Sequence, residues 1–245
     1  MGFAALVAVA AGFVKGVVGF GMPMIFVSGL STFLAPELAL AGLIFPTLVA
    51  NMTQAFREGP TAAWQSVKMF KMFLFVGLVT LSIGAQMVRT LPLWSMLLTI
   101  GLPVTLFAML QLRGVEIKLK GPSTWVAAGV GAIAGFMGGI SGIWGPPTVA
   151  YLSALGTPKD DQMRIQGVIY GLGAVALTVA HFGSGVLRAQ TLPLSLAMVF
   201  PAVLVMWIGG RIFDRIDQVM FRHATLVILL MAGLNLIRRA VMLLI

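Results

Sequence analysis

The chain of 245 residues contains no cysteine, and charged residues make up only 9% of it. The absence of cysteine excludes disulfide bonds, thiol nucleophiles and cysteine-ligated metals. A soluble domain carries about 25% charged residues, so the scarcity of charge excludes a water-soluble domain of any size. Because 59% of the residues are hydrophobic, the composition predicts an integral membrane protein.

Acidic residues are scarce, and all seven fall at the ends of the apolar runs. No carboxylate is therefore expected at mid-membrane for a conventional proton or sodium relay, and a cavity there would be net positive. His181 is the only candidate proton carrier within a span, and we favour a packed or interfacial role for it. The seven are Glu37, Glu58, Glu116, Asp160, Asp161, Asp214 and Asp217.

The long apolar runs predict ten helical segments, five in each half of the chain. Helices are favoured over a β-barrel because the runs do not alternate between polar and apolar residues. Segments 22–34 and 146–156 are too short to cross a hydrocarbon core of about 30 Å, so we expect half-helices or re-entrant hairpins there. The predicted segments are 3–19, 22–34, 37–57, 69–88, 92–111, 123–143, 146–156, 160–182, 191–213 and 219–237.

A glycine–proline break occurs in each half of the chain. The copies are AGFVKGVVGFGMP at residues 11–23 and AGFMGGISGIWGP at 134–146, and six of the thirteen aligned positions are identical. Five segments per half is an odd number, so the second half would insert upside down relative to the first. Paired breaks of this kind point to the substrate site of a secondary transporter. We expect an N-terminal repeat over 1–112, a cytoplasmic linker over 113–122 and a C-terminal inverted repeat over 123–245.

The basic residues predict the orientation of these segments. The net charge of +9 would suggest nucleic acid in a soluble protein, but here basic loops that set the topology explain it. Eleven basic residues fall on one predicted side and four on the other, which places the first side in the cytoplasm and both termini outside. The eleven are Arg57, Lys68, Lys71, Arg113, Lys118, Lys120, Lys159, Arg164, Arg211, Arg215 and Arg222.

Lys15 is the one basic residue well inside a predicted span. A charge at mid-membrane costs about 2.5–3.5 kcal/mol on insertion scales, so such a residue is a candidate for a functional site. The alternative is that Lys15 extends toward the interface. Gly21-Met22-Pro23 and Gly145-Pro146-Pro147 are typical of places where one helix stops and another begins. Two helix N-termini together with Lys15 would make an anion site, although the glycines alone could serve helix packing.

Other polar residues extend this predicted site. Thr47, Asn51 and Gln54 share one face of the third segment, where they either line a cavity or bond neighbouring helices. Ser141, Trp144 and Tyr151 flank the second break; Trp144 is either a gate or a packing residue, and tyrosines are more often interfacial or packed than ligands. Gln166 and Tyr170 lie four residues apart on the eighth segment. The predicted substrate-binding residues are Lys15, Gly16, Gly19, Gly21, Asn51, Gln54, Gly139, Ser141, Gly142, Trp144, Gly145 and Tyr151.

These motifs resemble those of the sulfite exporter TauE/SafE family of permeases, over essentially the whole chain. The resemblance is carried by GFVKGVVGFG at 12–21, by GGISGIWGPP at 138–147, by Asn51 and Gln54 as a polar pair, and by Gly209-Gly210-Arg211 before the last helix. Many members continue the first break with further glycines, where this chain has Met22-Pro23. The resemblance implies two inverted repeats and the transport of small sulfur-containing anions such as sulfite, sulfoacetate-like sulfonates or thiosulfate.

We therefore expect an all-α secondary carrier for a small sulfur oxyanion in the bacterial inner membrane, with the anion bound between the two breaks near the midplane. An anion channel is the alternative. An intramembrane enzyme would need Ser141 and His181 as a nucleophile and base from different segments, and a structural scaffold would not need paired breaks. No cofactor, metal or nucleic acid is expected, and membrane lipid is an expected partner. Coupling to a proton or another ion and assembly into a homodimer stay open.

Overall fold

The computed structural model describes residues 2–30, 32–87, 92–115, 118–141, 144–183 and 186–244. Within these ranges the regular secondary structure is α-helical, as the long apolar runs predict. The helices are α1 (Gly2–Val18), α2 (Met22–Leu30), α3 (Pro36–Ala55), α4 (Pro60–Met69), α5 (Lys71–Met87), α6 (Leu93–Leu112), α7 (Thr124–Ser141), α8 (Gly145–Ala154), α9 (Lys159–Gly183), α10 (Leu192–Arg215) and α11 (Gln218–Met242).

The chain forms two compact units, and each takes helices from both halves of the sequence. Unit 1 contains Met1–Ser66 and Met163–Asp217, and unit 2 contains Val67–Gln162 and Gln218–Ile245. Unit 1 therefore holds α1, α2, α3, most of α9, and α10, whereas unit 2 holds α5, α6, α7, α8 and α11. The predicted repeats over 1–112 and 123–245 describe the order of segments along the chain and stay a prediction.

In unit 1, α1 packs tightly along α10, and α2 and α3 complete the core. The contact is close because small residues face it: a Cβ on Gly12 would collide with the carbonyl oxygen of Ala202, and one on Gly16 with that of Met206. Small residues allow helix backbones to approach, which is how membrane helices gain packing energy. Phe26 and Leu30 on α2 are fully buried in the same core.

In unit 2, the closest pair is α5 with α7, and α6 packs against α11. A Cβ on Gly135 of α7 would collide with the carbonyl oxygen of Gly77 on α5. Gly12 and Gly135 occupy the same position in the two sequence breaks. In unit 1 the first predicted segment of the first half therefore packs on the fourth segment of the second half. In unit 2 the first segment of the second half packs on the fourth segment of the first half. The shared glycine lies at the contact in both units.

Several helices are suited to a membrane. Among the described residues, Leu38–Ala55, Leu192–Arg215 and Gln218–Met242 are long and apolar enough to cross one, and α4 with α5 would add a fourth span bent by 76°. Shorter apolar helices include Gly2–Val18, Leu97–Leu112 and Thr124–Gly139. Large apolar side chains such as Phe200 (74% exposed) lie on the outside, where lipid would cover them.

The helix α4 was not among the ten predicted segments. Its sequence, PTAAWQSVKM, carries too few apolar residues to register as a span. The predicted segment 69–88 corresponds to α5, and Phe70 separates the two helices at the bend. The short segments were anticipated: α2 and α8 begin at Met22 and Gly145, the positions that the glycine–proline breaks predict.

Candidate functional site

Lys15 lies in the last turn of α1 and is 1% exposed. Its Nζ donates hydrogen bonds to Asn51 Oδ1 at 2.5 Å and to the carbonyl oxygen of Gly19 at 2.7 Å. The ring of Tyr170 lies beneath the ammonium, 5.2 Å from Nζ to the ring centroid. These described partners are all neutral, so they solvate the ammonium without cancelling its charge. A buried charge is costly unless it is paired, so a negative group beside Lys15 would be stabilised electrostatically.

The break after α1 turns a backbone carbonyl toward Lys15. The helix ends at Val18, and Gly19 and Gly21 have φ angles of +83° and +90°, which side chains rarely tolerate. Gly19 is also tightly enclosed, because a Cβ there would lie 2.9 Å from both Gln54 Nε2 and Met163 Sδ. Glycine is therefore required at Gly19 for conformation and for space.

The polar stripe on α3 faces the interior of unit 1. Thr47, Asn51 and Gln54 are all buried. Asn51 accepts from Lys15 and donates through Nδ2 to the carbonyl oxygen of Tyr170 at 3.2 Å, and Gln54 Nε2 donates to the carbonyl oxygen of Met163 at 2.6 Å. Thr47 Oγ1 and Gln54 Oε1 are buried without a hydrogen-bond partner among the described residues. Leaving such a group unsatisfied costs about 1–3 kcal/mol, so Gln54 offers a ready acceptor to a ligand or to water.

A pocket of about 300 Å³ leads from this polar cluster to a charged end of unit 1. It is lined by residues of α1, α3, α9 and α10 and by Arg57 in the turn that follows α3. Gly16 and Gln54 line it near Lys15, and Arg57, Arg211 and Asp214 line it near the helix ends. The guanidinium of Arg211 stacks on Trp207 at 3.6 Å from the ring centroid. Two arginines against one carboxylate make this pocket attractive to anions.

Two ion pairs tie the C-terminal end of α3 to its neighbours. Arg57 pairs with Asp214 on α10, and Glu58 pairs with Arg164 on α9. Arg164 also donates through Nε to Ser66 Oγ at 3.0 Å. Because adjacent residues of opposite charge reach two different helices, the pairs fix the direction of the α3 end at the pocket.

We expect the Arg57–Asp214 pair to contribute little to stability, because the two side chains are 35% and 55% exposed. Exposed pairs contribute about 0.2–1 kcal/mol, so a double-mutant cycle of Arg57→Ala and Asp214→Ala should give a coupling energy in that range. The measurement is thermal unfolding of the purified single and double variants. A coupling energy well above this range would mean that the pair is desolvated in the membrane-embedded protein.

The predicted site residues of the second half lie in unit 2. Trp144 is buried just before α8, where its indole covers Gly138, and its carbonyl oxygen accepts a hydrogen bond from Thr148 Oγ1 at 2.9 Å. Tyr151 stacks on Phe73 with ring centroids 6.3 Å apart. Both side chains therefore make packing contacts, which the sequence analysis gave as the alternative to a gate for Trp144 and to a ligand-binding role for Tyr151. Gly139 lies in the last turn of α7 and Gly145 begins α8, whereas the side chain of Ser141 and all of Gly142 lie outside the described residues.

Three residues of α9 belong to the Lys15 cluster although they were not among the predicted site residues. Tyr170 supplies a ring and a carbonyl oxygen, Met163 supplies a carbonyl oxygen, and Gln166 is fully buried beside Gly19. Gln166 and Tyr170 lie four residues apart on one face of an apolar helix, and this spacing was the sequence signal that could have identified them. Within the described residues no group of three histidine, aspartate or glutamate side chains could hold a metal ion.

Comparison with known proteins adds a family to this geometry. The family model for the sulfite exporter TauE/SafE matches residues 4–236, nearly the whole chain. No curated protein and no solved structure gives a significant match. The chain therefore belongs to the sulfite exporter TauE/SafE family, whose members are multi-pass membrane transporters of a small anion and not enzymes.

Proposed function

We propose that this protein is a secondary carrier for a small sulfur oxyanion, sulfite or a short sulfonate, with Lys15 as the positive centre of its substrate site. The observation that carries the proposal is the buried ammonium of Lys15, whose described partners are all neutral. A buried ammonium surrounded by neutral groups has a strong electrostatic preference for one negative group. Membership of the family supports a transport function, and the buried cation supports a negatively charged substrate.

The cluster offers hydrogen bonds as well as charge. An ammonium has three donors, and the described bonds to Asn51 and Gly19 use two of them, so one remains for an incoming oxygen. Gln54 Oε1 can accept a hydrogen bond from the O–H of a singly protonated oxyanion such as hydrogensulfite. Of the predicted site residues, Lys15, Gly16, Gly19, Gly21, Asn51 and Gln54 all belong to unit 1, and the second-half residues stay a sequence prediction.

The pocket beside the cluster is the proposed entry route. Its volume of about 300 Å³ is ample for a sulfite-sized anion. Arg57 and Arg211 would raise the local concentration of anions at its mouth, since charged clefts focus the field. By the positive-inside rule this mouth lies on the cytoplasmic side, with both termini outside. Export would then be driven by the inside-negative potential, at about 2.3 kcal/mol per charge per 100 mV.

Alternating access between inverted repeats is the proposed mechanism. It is supported by the paired breaks and by the matching glycine contacts, Gly12 with Ala202 and Gly135 with Gly77. Each break separates a long apolar helix from a short one, the arrangement that transporters use at a substrate site. Movement of one helix group relative to another would expose the site to either side in turn.

Counterflow in proteoliposomes tests the carrier proposal. Vesicles loaded with unlabelled sulfite should take up external ³⁵S-sulfite faster than empty vesicles, because a carrier exchanges its substrate across the membrane. Anaerobic buffer prevents oxidation of sulfite to sulfate, and protein-free vesicles give the background. Uptake without acceleration by internal sulfite would instead establish an anion channel. Absence of protein-dependent flux for sulfite and for short sulfonates would overturn the proposed substrate class.

A further inference from the structure

Gln54 holds a buried hydrogen-bond acceptor beside the Lys15 cluster. Its side chain is 2% exposed, and its Nε2 donates to the carbonyl oxygen of Met163 at 2.6 Å. A carbonyl oxygen can only accept, so this bond assigns the orientation of the amide: a flipped amide would set two acceptors against each other. The other end of the amide, Oε1, has no hydrogen-bond partner among the described residues.

Close packing holds this amide in place. A Cβ on Gly19 would lie 2.9 Å from Gln54 Nε2, and a Cβ on Gly167 of α9 would lie 2.7 Å from the backbone carbonyl carbon of Gln54. The break after α1 and the helix α9 therefore approach Gln54 without intervening side chains. Because the amide is confined in this way, a donor for Oε1 has to be brought by a ligand or by water.

The acceptor and the ammonium of Lys15 belong to one site. Gln54 and Gly16 both line the pocket of about 300 Å³ in unit 1. Gly19 is adjacent to both polar groups, since its carbonyl oxygen accepts from Lys15 Nζ at 2.7 Å and its Cα lies beside the Gln54 amide. An oxyanion bound here would meet a positive donor and a neutral acceptor together.

Several charged groups lie on the elements that pack around Gln54. They are Lys15 on α1, Arg57 after α3, Arg211 and Asp214 on α10, and the pair of Arg164 on α9 with Glu58. Among the described residues that line the pocket there is no histidine. The substrate itself titrates near neutral pH, because hydrogensulfite loses its proton there to become sulfite. The protonation state of the substrate is therefore a property that the site can select.

We propose that Gln54 selects hydrogensulfite over sulfite by accepting a hydrogen bond from the O–H of the monoanion, an inference that rests on the carrier function proposed above. Sulfite has acceptors only, so it would leave Gln54 Oε1 unsatisfied and place its own oxygens against it. A site built to bond a substrate O–H discriminates against the form that lacks it. We expect this discrimination to be about 10- to 100-fold.

Charge alone would act in the opposite direction. Lys15 attracts a dianion more strongly than a monoanion, although a dianion also loses more hydration when it enters an interior site. Attraction to Lys15 therefore predicts binding that strengthens as the pH rises, because the dianion becomes more abundant. Acceptance by Gln54 predicts binding that weakens over the same range. The sign of the pH dependence thus separates the two contributions.

Selection of the monoanion determines what each transport cycle moves. One hydrogensulfite carries one negative charge and one proton, and the substrate releases that proton when it dissociates to sulfite on the side of higher pH. The proton therefore crosses the membrane on the substrate. No carboxylate of the protein is needed as a proton carrier, which agrees with the position of all seven acidic residues at the ends of the apolar runs.

The KM for total ³⁵S-sulfite in proteoliposomes tests this selection. Initial uptake is measured one pH unit below and one pH unit above the second pKa of sulfite. The pH is equal on both sides, potassium and valinomycin clamp the membrane potential, and air is excluded. Protein-free vesicles give the background, which includes the permeation of dissolved sulfur dioxide.

The test variant is Gln54→Met, which replaces the amide by an apolar side chain of similar length. Gln54→Asn is the second variant, in case the methionine prevents folding; it keeps an amide but withdraws the oxygen by one methylene. Gln65→Met is the matched control, because it removes an exposed amide of unit 1 that does not line the pocket.

The concentration of hydrogensulfite falls about tenfold between the two pH values, so the wild-type KM for total sulfite should rise about tenfold while the maximal rate changes little. In the Gln54 variants, KM at the lower pH should rise about 3- to 10-fold, and its further increase with pH should be less than about 3-fold. Gln65→Met should behave as the wild type does.

Two results would overturn the selection by Gln54 while leaving the carrier function intact. One is a wild-type KM that stays constant or falls as the pH rises. The other is a pH-dependent rise of about tenfold that the Gln54 variants retain, since this would assign the rise to titration of another group. Absence of protein-dependent sulfite flux at both pH values would instead overturn the proposed function together with the selection.

Discussion

Replacing Lys15 by methionine is expected to weaken selective anion binding about 10- to 100-fold while the protein stays folded. Methionine has a similar length and no charge, so it fills the space that the lysine stem occupies. Folding should survive because the substitution removes the desolvation cost of a fully buried ammonium. Hydrogen bonds to a charged group contribute about 1.5–3 kcal/mol, so affinity should fall about 10- to 100-fold.

The measurement is the shift of the unfolding temperature with sulfite or a short sulfonate, together with initial uptake in proteoliposomes. Lys71→Met is the matched control, since it removes an exposed lysine from unit 2 and should change neither quantity. Unchanged affinity in folded Lys15→Met protein would remove Lys15 from the substrate site. The alternative reading, in which Lys15 serves only the structure, predicts altered stability with the same affinity.

Gly209→Ala is expected to destabilise the protein strongly, whereas Gly210→Ala is not. The two glycines are neighbours on α10, but a Cβ on Gly209 would lie 2.6 Å from the carbonyl oxygen of Phe13 and 3.0 Å from Gly16 Cα. Both atoms belong to the backbone of α1, so neither can rotate aside. A Cβ on Gly210 would meet no atom within 4 Å. Overpacking typically costs about 1–3 kcal/mol, and displacement of a whole helix can cost more.

The pair is a matched comparison because alanine raises helix propensity by about the same amount, roughly 1 kcal/mol, at both positions. The difference in their unfolding temperatures therefore isolates the contact between α1 and α10. We expect Gly209→Ala to weaken anion binding as well, since Gly16 precedes the break and lies beside Lys15. Equal stability of the two variants would show that α1 can move away from α10 at little cost.

Much of the fold follows from local properties of the sequence. Residues Gly21 and Gly145 mark the starts of α2 and α8 because glycine and proline act on the backbone where they stand. The helix α4 was missed because its apolar content is low, and the bend at Phe70 depends on packing that no local pattern reveals. The grouping of α1 with α10 and of α5 with α7 also required the structure.

In the candidate site, too, some features follow from the sequence and others required the structure. The burial of Lys15, Asn51 and Gln54 could be anticipated, because a charge and amides in apolar helices need an interior. The spacing of Gln166 and Tyr170 indicated a shared face of α9, but the contact of Tyr170 with Asn51 could not be anticipated, because 119 residues of chain separate the two. The pairing of Arg57 with Asp214 spans 157 residues and was equally invisible. Such contacts depend on which helices pack together, and spacing along one helix does not specify its partner.

The sequence by itself determined the class of the protein and the positions of its two breaks. Composition decides whether a chain is stable in water or in lipid, and glycine with proline decides where a helix stops, so both are readable residue by residue. Only the tertiary structure decided that Lys15 meets Asn51, the Gly19 carbonyl and the Tyr170 ring. The environment of a buried charge is set by groups from distant segments, and these come together only when the helices pack.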